Sequence, residues 1–194
     1  MKITNEFDVG QSIESVWEFF GDIPQVAACL PGADLTDEIG DDHYQGVVAI
    51  SAGPVKLEFD GDAKIVGRDE AAKTITVDAN GADRKGRGNA VLALDAGLNA
   101  IPTGTKVDIA MDLQLSGAAA QYGRGLVNDV TTVLLEDFAT NMQNRLAAIE
   151  AGLDPDAVEA VQPASGFAIA LRAAKMALLR VFRRFFLPYS PEAV

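Results

Sequence analysis

Few residues in this chain carry reactive chemistry, and their spacing does not join them. His43 is the single histidine and Cys29 the single cysteine, so the sequence offers neither a histidine-rich metal site nor a Cys-x-x-Cys cluster site. His43 opens a strand-like segment beside Asp41 and Asp42 and reads as a surface residue. Cys29, beside a turn, reads as a small buried hydrophobe. Gly86-Arg87-Gly88 looks like a phosphate loop, but it sits in a strand-like pattern and opens no helix, as dinucleotide binding requires. Arg84, Lys85 and Arg87 form a basic cluster that reads as a solvated hairpin. Asp60, Asp62, Asp78 and Asp112 alternate outward along strands, which a wet sheet face explains without calcium. No catalytic constellation and no metal site are expected.

The strongest chemical signal lies at the C-terminus, in GFAIALRAAKMALLRVFRRFFL over residues 166–187. At roughly 100° per residue, Phe167, Leu171, Ala174, Leu178, Val181, Phe182 and Phe185 share one side of a helix. Arg172, Lys175, Arg180, Arg183 and Arg184 take the other, and no acid interrupts them. Such a helix suits an anionic, apolar surface, and membrane lipid is the expected one. Docking on a partner protein, or on the chain's own acidic body, are the rival uses. The segment is too short of uninterrupted apolar residues to span a bilayer, which needs about 20. It is therefore expected to lie on the membrane.

The rest of the chain is acidic. Residues 1–162 hold 11 Lys and Arg against 27 Asp and Glu, whereas residues 163–194 hold 5 against 1. The acidic body excludes nucleic acid as a partner, because phosphate neutralisation drives that binding. The first residues, MKITNEFDV, lack the apolar run of a signal peptide. One cysteine permits no internal disulfide, in keeping with a reducing compartment.

The elements follow from periodicity. Residues 3–9 alternate as a half-buried strand. Ser12 is placed to cap a helix over 13–20, with Val16, Phe19 and Phe20 inward. Asp22 is placed to cap a second, with Pro24 in its first turn and Pro31-Gly32 after it. Strands are predicted at 33–39, 43–51, 55–65, 74–79, 86–95 and 105–115. Their turn-marked spacing of about 10 residues reads as an antiparallel meander. From 118 to 151 the period becomes helical, with Gly123 and Gly125 loosening the first turns and Gly152 ending the helix. The expected organisation is a domain over 1–152, a linker over 153–165, the amphipathic helix over 166–187 and a tail over 188–194.

This order implies an α+β fold in which a strongly curved antiparallel sheet wraps one long helix. Sheet curvature leaves space on the concave side. Gly61, Ala63, Ala79, Gly88 and Ala90 on the inward phase favour keeping that space open. Its expected walls are Leu57, Phe59, Ile65, Val77, Ala90 and Leu92, then Val107, Ile109 and Met111, with Leu126, Val130, Val133, Leu134 and Phe138 from the helix. Asn5, Gln121 and Tyr122 are placed for the mouth, and Gly123-Arg124-Gly125 for an opening gate. Trp17 is expected in the core.

Val16-Trp17-Glu18-Phe19-Phe20, Val26-Ala27-Ala28-Cys29-Leu30-Pro31-Gly32-Ala33, Gly53-Pro54-Val55 and Gly86-Arg87-Gly88-Asn89-Ala90 form a recognisable set. In these residues the chain resembles the G-subunit family of carbon monoxide dehydrogenase, within the START-like (SRPBCC, helix-grip) superfamily. The likeness spans roughly residues 1–150. It implies an accessory protein of a molybdenum carbon monoxide dehydrogenase or related oxidase, without redox metal of its own. It also implies attachment of that oxidase to the inner face of the cytoplasmic membrane, and an apolar cavity for lipid-like molecules. The expected ligand is a respiratory quinone, menaquinone or ubiquinone. The rival functions are a membrane anchor with a filled core and a polyketide-cyclase-like enzyme, which needs acid–base groups inside the cavity.

Overall fold

The structure is a computed structural model that describes residues 1–52 and 55–158. Gly53-Pro54, and the whole amphipathic stretch 166–187 with its eleven expected membrane-binding residues, lie outside the described residues. The described elements run β1 (Lys2–Val9), α1 (Ile13–Phe19), α2 (Ile23–Cys29), β2 (Ala33–Gly40), β3 (His43–Ala52), β4 (Val55–Asp69), β5 (Thr74–Asp83), β6 (Asn89–Ile101), β7 (Gly104–Leu115) and α3 (Arg124–Glu150). Short 3-10 turns cover Gly117–Gln121 and Pro155–Ala157. The seven strands form one antiparallel sheet in the order β1-β7-β6-β5-β4-β3-β2.

Local signals explain the helices. The Ser12 hydroxyl accepts the Ser15 N–H, and the Asp22 carboxylate accepts the Gln25 N–H, so both caps act where the sequence puts them. At the far end of α3, Gly152 takes φ +68°. There its N–H reaches Ile149 O and the Leu153 N–H reaches Ala148 O, closing the helix.

The strand expected to end at 79 runs on to Asp83 and the one expected to end at 95 runs on to Ile101, and three further boundaries differ from the sequence reading for local reasons. β4 continues four residues past Ile65, because a register shift between Ile65 and Gly67 resets the alternation. The strand expected at 86 begins at Asn89, since Asp83 gathers the backbone N–H groups of Lys85 and Arg87 into a tight turn. Gly88 therefore belongs to that turn and not to the concave wall. α3 begins at Arg124 and not near residue 118; Gly123 precedes it with extended backbone, and 117–121 is a separate turn.

The packed core sits at one end of the sheet. There Val9, Ile75, Ala96, Leu98, Val107 and Ile109 meet Val16, Phe19 and Phe20 of α1, Cys29 of α2, and Phe138, Met142 and Leu146 of α3. Phe7 meets Phe138 edge-on, ring centres 6.0 Å apart. Trp17 packs at the margin of this core, with the Lys73 ammonium 4.9 Å from its ring centre. The helix lies chiefly along β1, with α1, α2 and the 155–157 turn beside it.

Candidate functional site

Strand register decides which side chains share the concave face. Gly46 pairs with Gly61, Gly61 with Gly81, and Gly81 with Ala90, so one row across β3, β4, β5 and β6 carries almost no side chain. Two of these glycines are required by crowding. A Cβ at Gly46 would stand 2.7 Å from Asp34 O, and one at Gly61 would stand 2.1 Å from Asn80 O. Strands bend hard along this line, which gives the sheet its curl. The neighbouring row, Tyr44, Ala63, Ala79 and Leu92, is small in its middle as well.

Beyond the packed end, inward-facing apolar residues keep solvent-accessible surface. Val48, Ile50, Leu57, Ala63, Ala79, Ala90, Leu92, Leu113 and Leu115 are only half-buried, although they face the hollow side of the sheet. Leu134 of α3 is half-buried as well. These inward-facing apolar residues are thus less fully covered than those of the packed end.

The expected wall residues divide accordingly. Leu57, Ala90 and Leu92 lie in the half-open part. Ile65, Val77 and Met111 border the packed core, and Val107 and Ile109 are within it. Phe59 is buried beside Asp83. Phe138 is a core residue. Val130 is buried, Leu126 is 39 % exposed at the helix start, and Val133 is fully buried on a row of α3 shared with Asp129, Asp137, Asn141 and Arg145. Of the mouth residues, Asn5 faces inward and donates to Thr132 Oγ1 at 3.3 Å, Tyr122 is half-buried and Gln121 is exposed.

An acid stands on the concave face where the sequence reading placed none. Asp83 follows Ile75, Val77, Ala79 and Gly81 on the inward phase of β5, and its side chain is fully buried. Period-two counting along β5 would have found it. The Arg87 guanidinium grips it at 2.6 and 2.8 Å, and the backbone N–H groups of Glu58, Lys85 and Arg87 also donate to it. Arg87 above all holds this carboxyl far below the usual carboxylate range, against the upward pull of burial. It is a fixed anion and not a proton-transfer group. Tyr44 also faces inward, and burial first, then Glu38 and Asp42, push its phenol upward.

The other reactive groups are occupied. His43 bonds Asp62 at 3.1 Å, Asp62 also accepts from Asn80, and Arg84 bridges Asp60 and Glu58. Two of the three cations of the β5–β6 turn, Arg84 and Arg87, are thus paired with acids. Cys29 is fully buried, and burial pushes its thiol up to about 12. Among the described residues no group of three metal-ligating side chains occurs, and no helix is long and apolar enough to cross a membrane. Two depressions, of about 590 and 750 Å³, lie on the outer sheet face. Gln45, Asp60, Asp62, Asn80 and Arg84 line the first together with Val47 and Val91, and Thr4, Glu6, Thr76, Asp95 and Asp108 line the second together with Ala96, Ile109 and Ala110, so both mix polar and apolar walls, and neither lies between sheet and helix.

Among solved structures, a conserved protein from Geobacillus kaustophilus is similar over 76 % of this chain and 95 % of its own, at 21 % identity and TM-score 0.68. A Thermus thermophilus protein is similar over 77 % and 99 %, at 13 % identity and TM-score 0.56. The major latex-like protein 151 of Panax ginseng is similar over 73 % and 97 %, at 15 % identity and TM-score 0.50. These likenesses show a shared START-like fold. No curated protein matches the chain. The family described as the carbon monoxide dehydrogenase G subunit, CoxG, matches residues 6–147. With its curled seven-stranded sheet, its long C-terminal helix and that match over most of its length, the chain belongs to the CoxG family.

Proposed function

We propose that this protein is a non-catalytic accessory of a molybdenum carbon monoxide dehydrogenase or related oxidase, that it carries a respiratory quinone in the hollow between sheet and α3, and that residues 166–187 hold it on the inner face of the cytoplasmic membrane. Family membership supports the accessory role. The observation that carries the ligand is the half-exposed apolar surface above the Gly46–Gly61–Gly81–Ala90 row. Burying apolar area yields about 25 cal/mol per Å². An isoprenoid chain that covers some 400 Å² of such wall therefore gains on the order of 10 kcal/mol before ordering costs. Few polar groups face that space, which suits a ligand that is mostly hydrocarbon with one orienting headgroup. The inward acid, Asp83, is locked as an anion by Arg87, so the enzyme reading has no proton-transfer carboxyl there.

The test is organic extraction of the purified full chain followed by mass spectrometry. A bound isoprenoid quinone is the expected result; an extract without isoprenoid or other lipid overturns the carrier reading. Flotation with anionic vesicles tests the location separately. Full-length protein is expected to float and protein truncated after residue 162 to stay below, and a full-length chain that does not float removes the membrane role.

A further inference from the structure

The sheet and α3 bring several segments together at the end of the domain away from the packed core. β3 and β4 approach their turn there, at Ser51 and Lys56; β5 and β6 do so at Ala82 and Asn89; and β7 finishes there at Leu115, beside Ala90. Backbone bonds tie these segments to one another. The Arg84 N–H donates to Glu58 O, the Ser116 N–H to Asn89 O and the Ala118 N–H to Arg87 O. Thr132 meets Asn5 and Phe138 meets Phe7, so α3 runs from this end toward the packed one, and its start at Arg124 lies here too. The half-buried apolar side chains of Ile50, Leu57, Ala90, Leu92 and Leu115 gather at the same end.

The two ends of the domain differ in sign. Residue 56, residues 84–89 and residues 116–124 supply Lys56, Arg84, Lys85, Arg87 and Arg124, with no acid among them. The turns of the opposite end, 40–43, 69–73 and 101–104, supply Asp41, Asp42, Asp69 and Glu70 against Lys73. Arg84 and Arg87 are held by Glu58, Asp60 and Asp83. Lys56, Lys85 and Arg124 are exposed, and none of them has an acid partner among the described residues. α3 begins with no acid in its first turn, so the positive end of its dipole adds to them. A domain with a large excess of acid thus keeps free cations at one end, round the half-buried apolar wall.

We propose that this rim, Lys56, Lys85 and Arg124, docks on anionic lipid, so that the end of the domain with the half-buried apolar wall faces the bilayer. The three cations come from three separate segments and converge on no single point. An anionic leaflet offers many phosphates in one plane, which suits cations spread in this way. The opposite end, with its carboxylates, is repelled by the same surface. A Lys or Arg near such a surface is worth about fivefold in partition, so three are worth on the order of 100-fold. The acidic remainder of the domain opposes that gain. The rim therefore orients the domain, and residues 166–187 hold it. This docking rests on the membrane reading above and not on the quinone.

Fluorescence quenching in the full chain tests it. Ala118→Cys at the rim and Ala71→Cys at the opposite end, both exposed positions, carry a fluorophore in separate proteins. Native Cys29 is buried with its thiol pushed up to about 12, so it does not take label. The vesicles are phosphatidylglycerol and phosphatidylcholine with a nitroxide-headgroup lipid as quencher. Strong quenching is expected at 118 and weak quenching at 71. Lys56→Gln with Lys85→Gln and Arg124→Gln is expected to lower vesicle partition roughly 10- to 100-fold, and to bring the quenching of bound protein at 118 down to that at 71. Ala71→Glu with Ala72→Glu and Thr103→Glu changes the net charge equally at the opposite end. It is expected to leave 118 quenched and to lower partition by less than about threefold, because charges farther than a Debye length from the lipid are screened. Equal quenching at the two positions in vesicle-bound protein, or stronger quenching at 71, overturns this proposal alone and leaves the rim to an acidic protein surface. A charge-matched variant that loses as much as the neutralised one also overturns it. A full chain that does not bind the vesicles overturns the membrane reading along with it.

Discussion

Ala90→Phe asks whether the concave side is empty, and the sign of its effect gives the answer. Ala90 is half-buried, ends the glycine row, and has Gly81 beside it with no side chain to collide with. Fully burying a Phe side chain is worth roughly 1.5–3 kcal/mol. The site is already half-enclosed, so about half of that, near 1 kcal/mol, is the expected gain if the ring enters unfilled space. If the protein's own atoms fill that space, the ring overpacks it and costs roughly 1–3 kcal/mol. Urea unfolding of delipidated protein separates the cases. At an m-value of about 2 kcal/mol per M, the midpoint rises by about 0.5 M in the first case and falls by about 0.5–1.5 M in the second. A second arm uses a soluble short-chain quinone. At 100 times its Kd it adds about 2.7 kcal/mol to the wild-type protein, and most of this gain is expected to vanish in Ala90→Phe. A falling midpoint refutes the hollow, and an undiminished gain in the variant refutes the ligand's place within it.

Asp83 makes part of the stability pH-dependent. Its folded pKa lies below its unfolded value of about 3.9, so its contribution is complete above that value and fades as pH falls toward the folded one. Thermal melts between pH 2.5 and 7 should therefore show a steeper acid loss for wild type than for Asp83→Asn, and parallel curves would contradict the Arg87 grip. Cys29, fully buried with its thiol raised to about 12, is expected to resist a thiol reagent at pH 8 until the domain unfolds. A fast native-state reaction would place it at the surface instead.

The sheet was legible because alternation is a local property. Leu57, Phe59 and Ile65 fall on one phase of β4, and the structure keeps them on one face until the register shift after Ile65. The caps at Ser12 and Asp22 were legible for the same reason, since each needs only a side chain and an N–H three residues on. The turn at 84–88 was not. Whether Gly86-Arg87-Gly88 reads as strand or turn depends on Asp83, whose carboxylate collects three backbone N–H groups, one of them Glu58 N from the adjoining strand. That competition is settled by tertiary contacts, and no window of sequence contains it.

The long helix shows the same limit more sharply. Helical periodicity singled out its apolar positions, and Val130, Val133 and Phe138 are indeed buried. The count passed over Asp129, Asp137, Asn141 and Arg145, which are buried too. An apolar residue is drawn inside by its own hydration, whereas a charged one goes inside only where other segments bring groups to meet it. Arg145 illustrates the rule, since Gln25, 120 residues before it, and Asp156, 11 residues after it in the turn beyond the helix, converge on it. A buried polar row on a helix is thus a record of what packs there. On α3 it records contact on a side other than the one facing the sheet, and hydropathy alone could not have revealed that side.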